Sequence, residues 1–398
     1  MIRFFIVTAL LSFCLPSCHA GDPCPTKEEL GACTCHYVDI SKSNSSVSIT
    51  STFHRSDKKP RPPNTTVTTL ARFIREVHQG SMFTEIMCKG ARTITALEET
   101  VRFALHRKMV DKLIVSNVPA IKEHVLVNLP NKWLKNSRIR QFEIHDTLLS
   151  GDFLWQGNPF EGQEDTLMWL SAYRCSLYGA LTYDDLGTVH TRGLNLLPRL
   201  EGVDFSLNQL TVIKATAFRT PPTNLSNIVL SRNSLKIIES GSFQHVTFLK
   251  NIDLSNNLLE SVVRTLFAAP ARFLECIDLS WNFLRVLPVN FFVNMPSLKI
   301  VNLSKNFLHS MPKEPWAVVW KQLTFLDITG NFINCDCDLL WLLPILSPAE
   351  KNATTTPAPK PLSGQDIRGS CSQNSQMPGR YFREHKLTNL KRNKLMCS

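Results

Sequence analysis

The chain has 398 residues, is 43% hydrophobic and carries a net charge of +11. Past the first twenty residues no run of about eighteen apolar residues occurs, which argues against a transmembrane helix downstream. No nucleophile elbow, H-E-x-x-H, P-loop or G-x-G-x-x-G after a strand is present, and the 16 Gly form no phosphate cradle, so the sequence predicts no enzyme, no metal and no cofactor.

Residues 1–20 have the order of a secretory signal peptide: Arg3, the apolar stretch Phe4 to Leu15, then Cys18-His19-Ala20 before a cleavage point. The expected destination is secreted and extracellular. Five N-x-S/T sequons agree with that route, at Asn44, Asn64, Asn224, Asn302 and Asn352.

Residues 21–109 read as an N-terminal cap built on Cys24, Cys33, Cys35 and Cys88, with 52 residues between the last two. Residues 41–66 within it are rich in Ser, Thr, Lys and Pro and are expected to be a disordered or glycosylated loop. Residues 110–334 carry a returning phrase, L-x-x-L-x-L-x-x-N-x-L, starting at Leu225, Leu249, Leu274, Leu298 and Leu323. The starts are 24, 25, 24 and 25 residues apart. Looser copies start at Val110, Ile139, Leu167 and Leu200, giving about nine, and their wider spacing implies longer convex loops.

Two further columns keep phase with the phrase. Asn233, Asn257, Asn282, Asn306 and Asn331 fill the ninth position, where an amide can satisfy backbone groups at a turn. Aromatics precede each copy at Phe218, Phe243, Phe267, Phe292 and Trp316, with Trp133 and Phe160 earlier, and should stack under the convex side. One unit cannot bury its apolar side alone, whereas stacked units make one continuous core.

This phrase and period are those of the leucine-rich repeat. The expected fold is an α/β solenoid, a horseshoe with a parallel concave sheet. The wording that follows, Asn331-x-x-Cys335-x-Cys337-x-Leu339 and then Trp341, with Cys371 and Cys397 beyond, resembles the C-terminal cap of extracellular members, so residues 335–398 read as that cap. The chain as a whole resembles secreted leucine-rich repeat proteins capped by cysteines at both ends, a group that includes Slit, chondroadherin, the small leucine-rich proteoglycans and Toll-type ectodomains. Its N-cap wording, Cys24-Pro25 then Cys33-Thr34-Cys35, is similar to invertebrate secreted members such as the non-catalytic subunit of a shrimp luciferase.

That resemblance implies the pairings Cys24–Cys35, Cys33–Cys88, Cys335–Cys371 and Cys337–Cys397. It also implies protein or glycan binding on the concave strands. Two departures stand out: the long insert before Cys88 and the Thr/Pro-rich segment Thr354 to Pro361 inside the C-terminal cap. Cys175 stands in the Asn column as a small buried thiol. Cys276 stands at a third position, either as a shielded free thiol or as an intermolecular link. Four coils at ~4.8 Å put these two ~19 Å apart, too far for a bond.

Candidate ligand-binding residues come from the concave positions. The fifth-position column holds Asp204, Asp253 and Asp278, and the same surface should expose Trp169, Tyr173, Trp281 and Phe325. The Asp stripe reads equally as ordinary repeat wording that solvates the strand. Basic residues gather at the C-terminal end, Arg380, Arg383, Lys386, Lys391, Arg392 and Lys394, where outside the cell sulfated glycans or membrane head groups are the expected anions and a nucleic acid is not. A solvated basic surface accounts for them as well. The functional expectation is a secreted binding protein acting in matrix, adhesion or signalling. The alternative is a non-catalytic accessory subunit of a secreted enzyme complex. Whether the chain forms a homodimer stays open.

Overall fold

The computed structural model describes residues 33–39, 82–119, 126–154, 156–183, 189–343, 366–373 and 383–397. The segment 1–20, the 41–66 insert, Thr354 to Pro361, Cys24, Asn44, Asn64, Asn352 and Arg380 lie outside the described residues.

Twelve strands form one sheet. The nine repeats each supply one strand, from Met109–Ser116 to Phe325–Asp327. The register follows the fourth position of the phrase: Leu113, Phe142, Leu170, Val203, Ile228, Ile252, Ile277, Val301 and Leu326 face one another strand by strand, all parallel. Each is 1% exposed or less. Inward residues recur with period two, so a one-residue slip would turn this whole set to solvent, and the register is strongly specified. The low-fidelity first copy at Val110 is therefore a true coil, in phase with the rest.

The caps extend the sheet at both ends. Met82–Lys89 adds Ile86 to the apolar column, and Asp366–Arg368 adds Ile367. Cys33–Asp39 then closes the N-terminal edge as the sole antiparallel strand of this sheet among the described residues. The bonds Cys33–Cys88, Cys335–Cys371 and Cys337–Cys397 are formed. Cys35 is also disulfide-bonded.

The ninth-position amides tie neighbouring coils. Asn257 Nδ2 donates to Leu254 O of its own coil at 2.9 Å and to Leu230 O of the coil before at 3.0 Å, while its Oδ1 accepts from Leu235 N at 3.1 Å. Asn208, Asn233, Asn282, Asn306 and Asn331 repeat this pattern. In the Cys175 coil the thiol takes the same place, donating weakly toward Ile144 O and Tyr173 O at 3.4 Å each. Burial pushes that thiol up to about 12, so it stays protonated.

The aromatic column stacks as expected, with one detour. Phe218, Phe243 and Phe267 stand 5.6 and 6.0 Å apart, and Phe291 then bridges Phe267 to Phe292 and Trp316. In the wider N-terminal coils, buried Gln163 staples its loop to the coil before. Its Nε2 donates to Leu134 O and Ser137 O, and its Oε1 accepts from Ile139 N.

Candidate functional site: the concave face and its rim

The N-terminal part of the concave face is a closed polar network. Lys112 Nζ lies 2.8 Å from Glu143, and Tyr173 Oη donates to the same carboxylate at 3.0 Å. The His145 ring stacks on the Tyr173 ring at 4.8 Å, and the Arg174 guanidinium lies 5.5 Å from the centre of the Tyr173 ring. Asp146 in turn accepts from Arg174 at 3.1 Å and contacts His145 Nδ1 at 2.7 Å. Arg140 pairs with Asp111 at 2.7 Å.

Two expected contact residues are thereby withdrawn from solvent. Tyr173 is only 4% exposed, boxed by its partners. Trp169 is 7% exposed because the next coil has Gly202 at its third position. A Cβ there would lie 2.0 Å from the indole, so the ring lies flat over a glycine that makes room for it. The expectation that both aromatics are exposed is corrected on these grounds.

The C-terminal part works differently. Asp204, Asp253, Asp278 and Asp327 each accept from the backbone N–H two residues on, at 2.8 to 2.9 Å. Asn302 does the same to Ser304 N at 3.1 Å. The acidic stripe is thus a column of Asx turns that bends the chain off the strand. Burial raises the Asp204 carboxyl to about 6. Asp278 is raised too, by burial first and by Asp253 second, although Asn302 Nδ2 donates to it at 3.0 Å. Among the sequons, Asn224 is exposed, whereas Asn302 has both ends of its amide engaged within the sheet.

Cys276 is a buried free thiol, shifted upward by burial and by nearby carboxylates, with Asp278 first among them. Phe325 is half-buried beneath Arg368, whose guanidinium sits 5.1 Å from the ring. Trp281 is the exposed member of the expected set, at 55%. It stands at the eighth position, at the rim where the strand ends. Lys305 Nζ lies 5.7 Å over its ring. In the C-terminal cap, Lys386, Lys391 and Arg392 are exposed, Lys394 is half-buried, and Arg383 lies in a short strand.

Two features escaped the sequence reading. Every eighth-position residue is left-handed: Asn117, Asp146, Arg174, Leu207, Arg232, Asn256, Trp281, Lys305 and Gly330 have φ from 51° to 69°. The second is a row of exposed phenylalanines at the tenth position, Phe283, Phe307 and Phe332, which the repeated wording Asn282-Phe-Leu, Asn306-Phe-Leu and Asn331-Phe-Ile would have signalled. Among the described residues no three His, Cys, Asp or Glu side chains converge on a metal site, and no helix is long and apolar enough to cross a membrane.

Residues 198–259 match the family model described as leucine rich repeat. No curated protein matches the chain. Among solved structures the chain is similar to one entitled "Crystal structure of TLR13-ssRNA13 complex", at 18% identity and a TM-score of 0.44, covering 70% of this chain and 38% of that one. The sheet, the Asn column and the matching segment together make this a leucine-rich repeat solenoid. Such a solenoid is typically a binding scaffold, and the fold points to an interaction role.

Proposed function

We propose that the chain is a secreted, extracellular binding protein that presents its rigid solenoid to a protein or sulfated-glycan partner. The observation that carries this reading is Trp281. Its ring is large, apolar and exposed, yet its backbone is fixed by a 2.8 Å bond from Trp281 N to Ser304 O. An aromatic held in place loses little freedom on contact, which is what a binding anchor needs. Phe325 lies inward from it on the concave strands, and Asp204, Asp253 and Asp278 act mainly by shaping that surface. Trp169 and Tyr173 belong to the same framework at the other end. Lys386, Lys391 and Arg392 supply the anion-binding element of this reading, with Arg380, Arg383 and Lys394 nearby in sequence.

The test is affinity capture from native secretions with residues 21–398, comparing wild type with Trp281→Ala. A single partner recovered in fixed ratio and lost with the variant supports the reading. Equal capture by both forms removes the rim Trp from it. Retention on heparin that survives Trp281→Ala but not Lys391→Ala with Arg392→Ala would assign the glycan arm to the cap.

A further inference from the structure

The rim bearing Trp281 continues into a surface of a different kind. In the last three coils the eighth, tenth and twelfth positions read Trp281, Phe283, Arg285; then Lys305, Phe307, His309; then Gly330, Phe332, Asn334. The residues between them, Asn282, Leu284, Asn306, Leu308 and Ile333, are buried, and the alternation turns the first set outward. Phe283, Phe307 and Phe332 are 43%, 37% and 54% exposed. Earlier coils place Gln209, Ser234 and the half-buried Leu258 at the tenth position, so the aromatic row belongs to this end alone.

The three rings form a regular stack. Phe283 and Phe307 are 5.5 Å apart with planes 8° from parallel, and Phe307 and Phe332 are 5.6 Å apart at 27°. The His309 ring stacks on Phe332 at 5.9 Å. Backbone bonds hold the row, Phe283 N to Leu259 O at 2.8 Å, and Phe307 N to Leu284 O and Phe332 N to Leu308 O at 2.9 Å. The stack covers the faces between neighbouring rings and leaves their edges outward. The face of an aromatic ring carries the negative end of its quadrupole and the edge the positive end. Sugars and bases bind by lying on faces, and here the faces between neighbouring rings are occupied by one another, which leaves only the two end faces of the row. Edges offer apolar contact and attract oxygen anions. The charge around them has the same sense: Arg285, Lys305 and His309 are exposed, and no carboxylate stands at any of these nine positions.

We infer that this edge docks an acidic, apolar segment of a partner protein, its Asp or Glu side chains meeting Arg285 and Lys305 and its apolar side chains lying across the phenylalanine row. Charge complementarity calls for an anionic occupant, and the exposed phenylalanine row selects an acidic peptide over a sulfated glycan, which has the anions and lacks the apolar side chains. The inference deepens the binding role proposed above by naming a surface and a partner chemistry.

The test uses the full mature chain and a fluorescent peptide of alternating Glu and Leu, with an alternating Lys and Leu peptide and a heparin fragment beside it, read by anisotropy. The Glu-Leu peptide is expected to bind in a salt-sensitive manner. Its affinity should fall about tenfold or more in Phe307→Ser, and likewise in Arg285→Glu with Lys305→Glu, which leaves the rings in place. Thermal melts establish that each variant is folded. No binding of the Glu-Leu peptide, equal binding of the Lys-Leu peptide, or binding unchanged in both variants overturns the inference. Heparin binding lost in Phe307→Ser overturns it in favour of a glycan. If the peptide fails while native capture still depends on Trp281, the edge inference falls alone. If native capture also fails, the binding role falls with it.

Discussion

The two halves of the concave surface solve one problem by different chemistry. From Met109 to Arg174 the strands carry Lys, Glu, Arg, His and Tyr, and the face is held by ion pairs and stacked rings that satisfy one another. From Gly202 onward it is held by short amide and carboxylate side chains that each cap their own strand. In the first half charge holds the surface together. In the second the geometry of an oxygen two residues before an N–H does so, and the charge of Asp is incidental. Asn302 shows this directly, because it fills the same column with no charge at all. A network whose members largely satisfy one another leaves little for a ligand, which is why the proposed contact surface lies on the C-terminal coils and their rim.

The hardest strain on the regular half is Asn257→Ala. It orphans buried Leu235 N and removes one of the two amide donors at Leu230 O and at Leu254 O, and about 3 kcal/mol of stability should be lost in urea unfolding. Thr147→Ala at the equivalent site of the charged half breaks one donor and one acceptor contact and should lose about 1 kcal/mol.

A sharper contrast is the same chemical change made in both halves. Glu143→Gln strips the charge facing Lys112, whose side chain is 11% exposed, and should destabilise by roughly 2 kcal/mol. Asp204→Asn keeps the oxygen that accepts from Ser206 N and should stabilise by roughly 1 kcal/mol at pH 7. The sign follows from the raised carboxyl. Folded Asp204 holds its proton up to about pH 6 and the unfolded chain releases it near pH 4, so this group's stabilisation is full at low pH and is lost as pH rises through about 6. Melts of wild type and Asp204→Asn across that range should diverge as pH rises. Effects of equal sign at the two acids would erase the distinction between the halves.

The smallest expected effect is at the left-handed column. Leu207→Gly relieves a side chain held at φ 57°, worth about 1 kcal/mol, and raises the freedom of the unfolded chain by about as much, so stability should move by less than about 0.5 kcal/mol.

The period, the Asn column and the aromatic column are readable from sequence because each coil meets nearly the same environment, and residue choice there is set by packing and by the amide bonds between coils. The register through Leu113 and Phe142 follows from that. The exposure of single residues does not, because it depends on what the adjacent coil contributes. Trp169 is hidden by the absence of a side chain at Gly202, and Tyr173 by Glu143 thirty positions away. The left-handed eighth position is silent for another reason. Asn117, Asp146, Asn256 and Gly330 favour that conformation, but Arg174, Leu207, Arg232, Trp281 and Lys305 carry no turn signature and hide the pattern, the ninth-position column beside them imposing the geometry from outside. The phenylalanine row is legible in the sequence, because each ring follows directly on the Asn column in three successive copies.

The sheet's outer strands have a consequence for assembly. A ladder of eleven parallel strands with a uniform apolar column would otherwise be a template on which a second molecule could add coils indefinitely, head to tail, into a filament. At one end Cys33–Asp39 runs against the grain of the stack, and at the other a strand of three residues, Asp366–Arg368, turns away at Gly369 into a two-stranded ribbon. The two ends do not match each other in direction, length or side chains. Head-to-tail growth needs ends that complement each other, and the described edge strands do not, so they oppose the stacking of one molecule on the next.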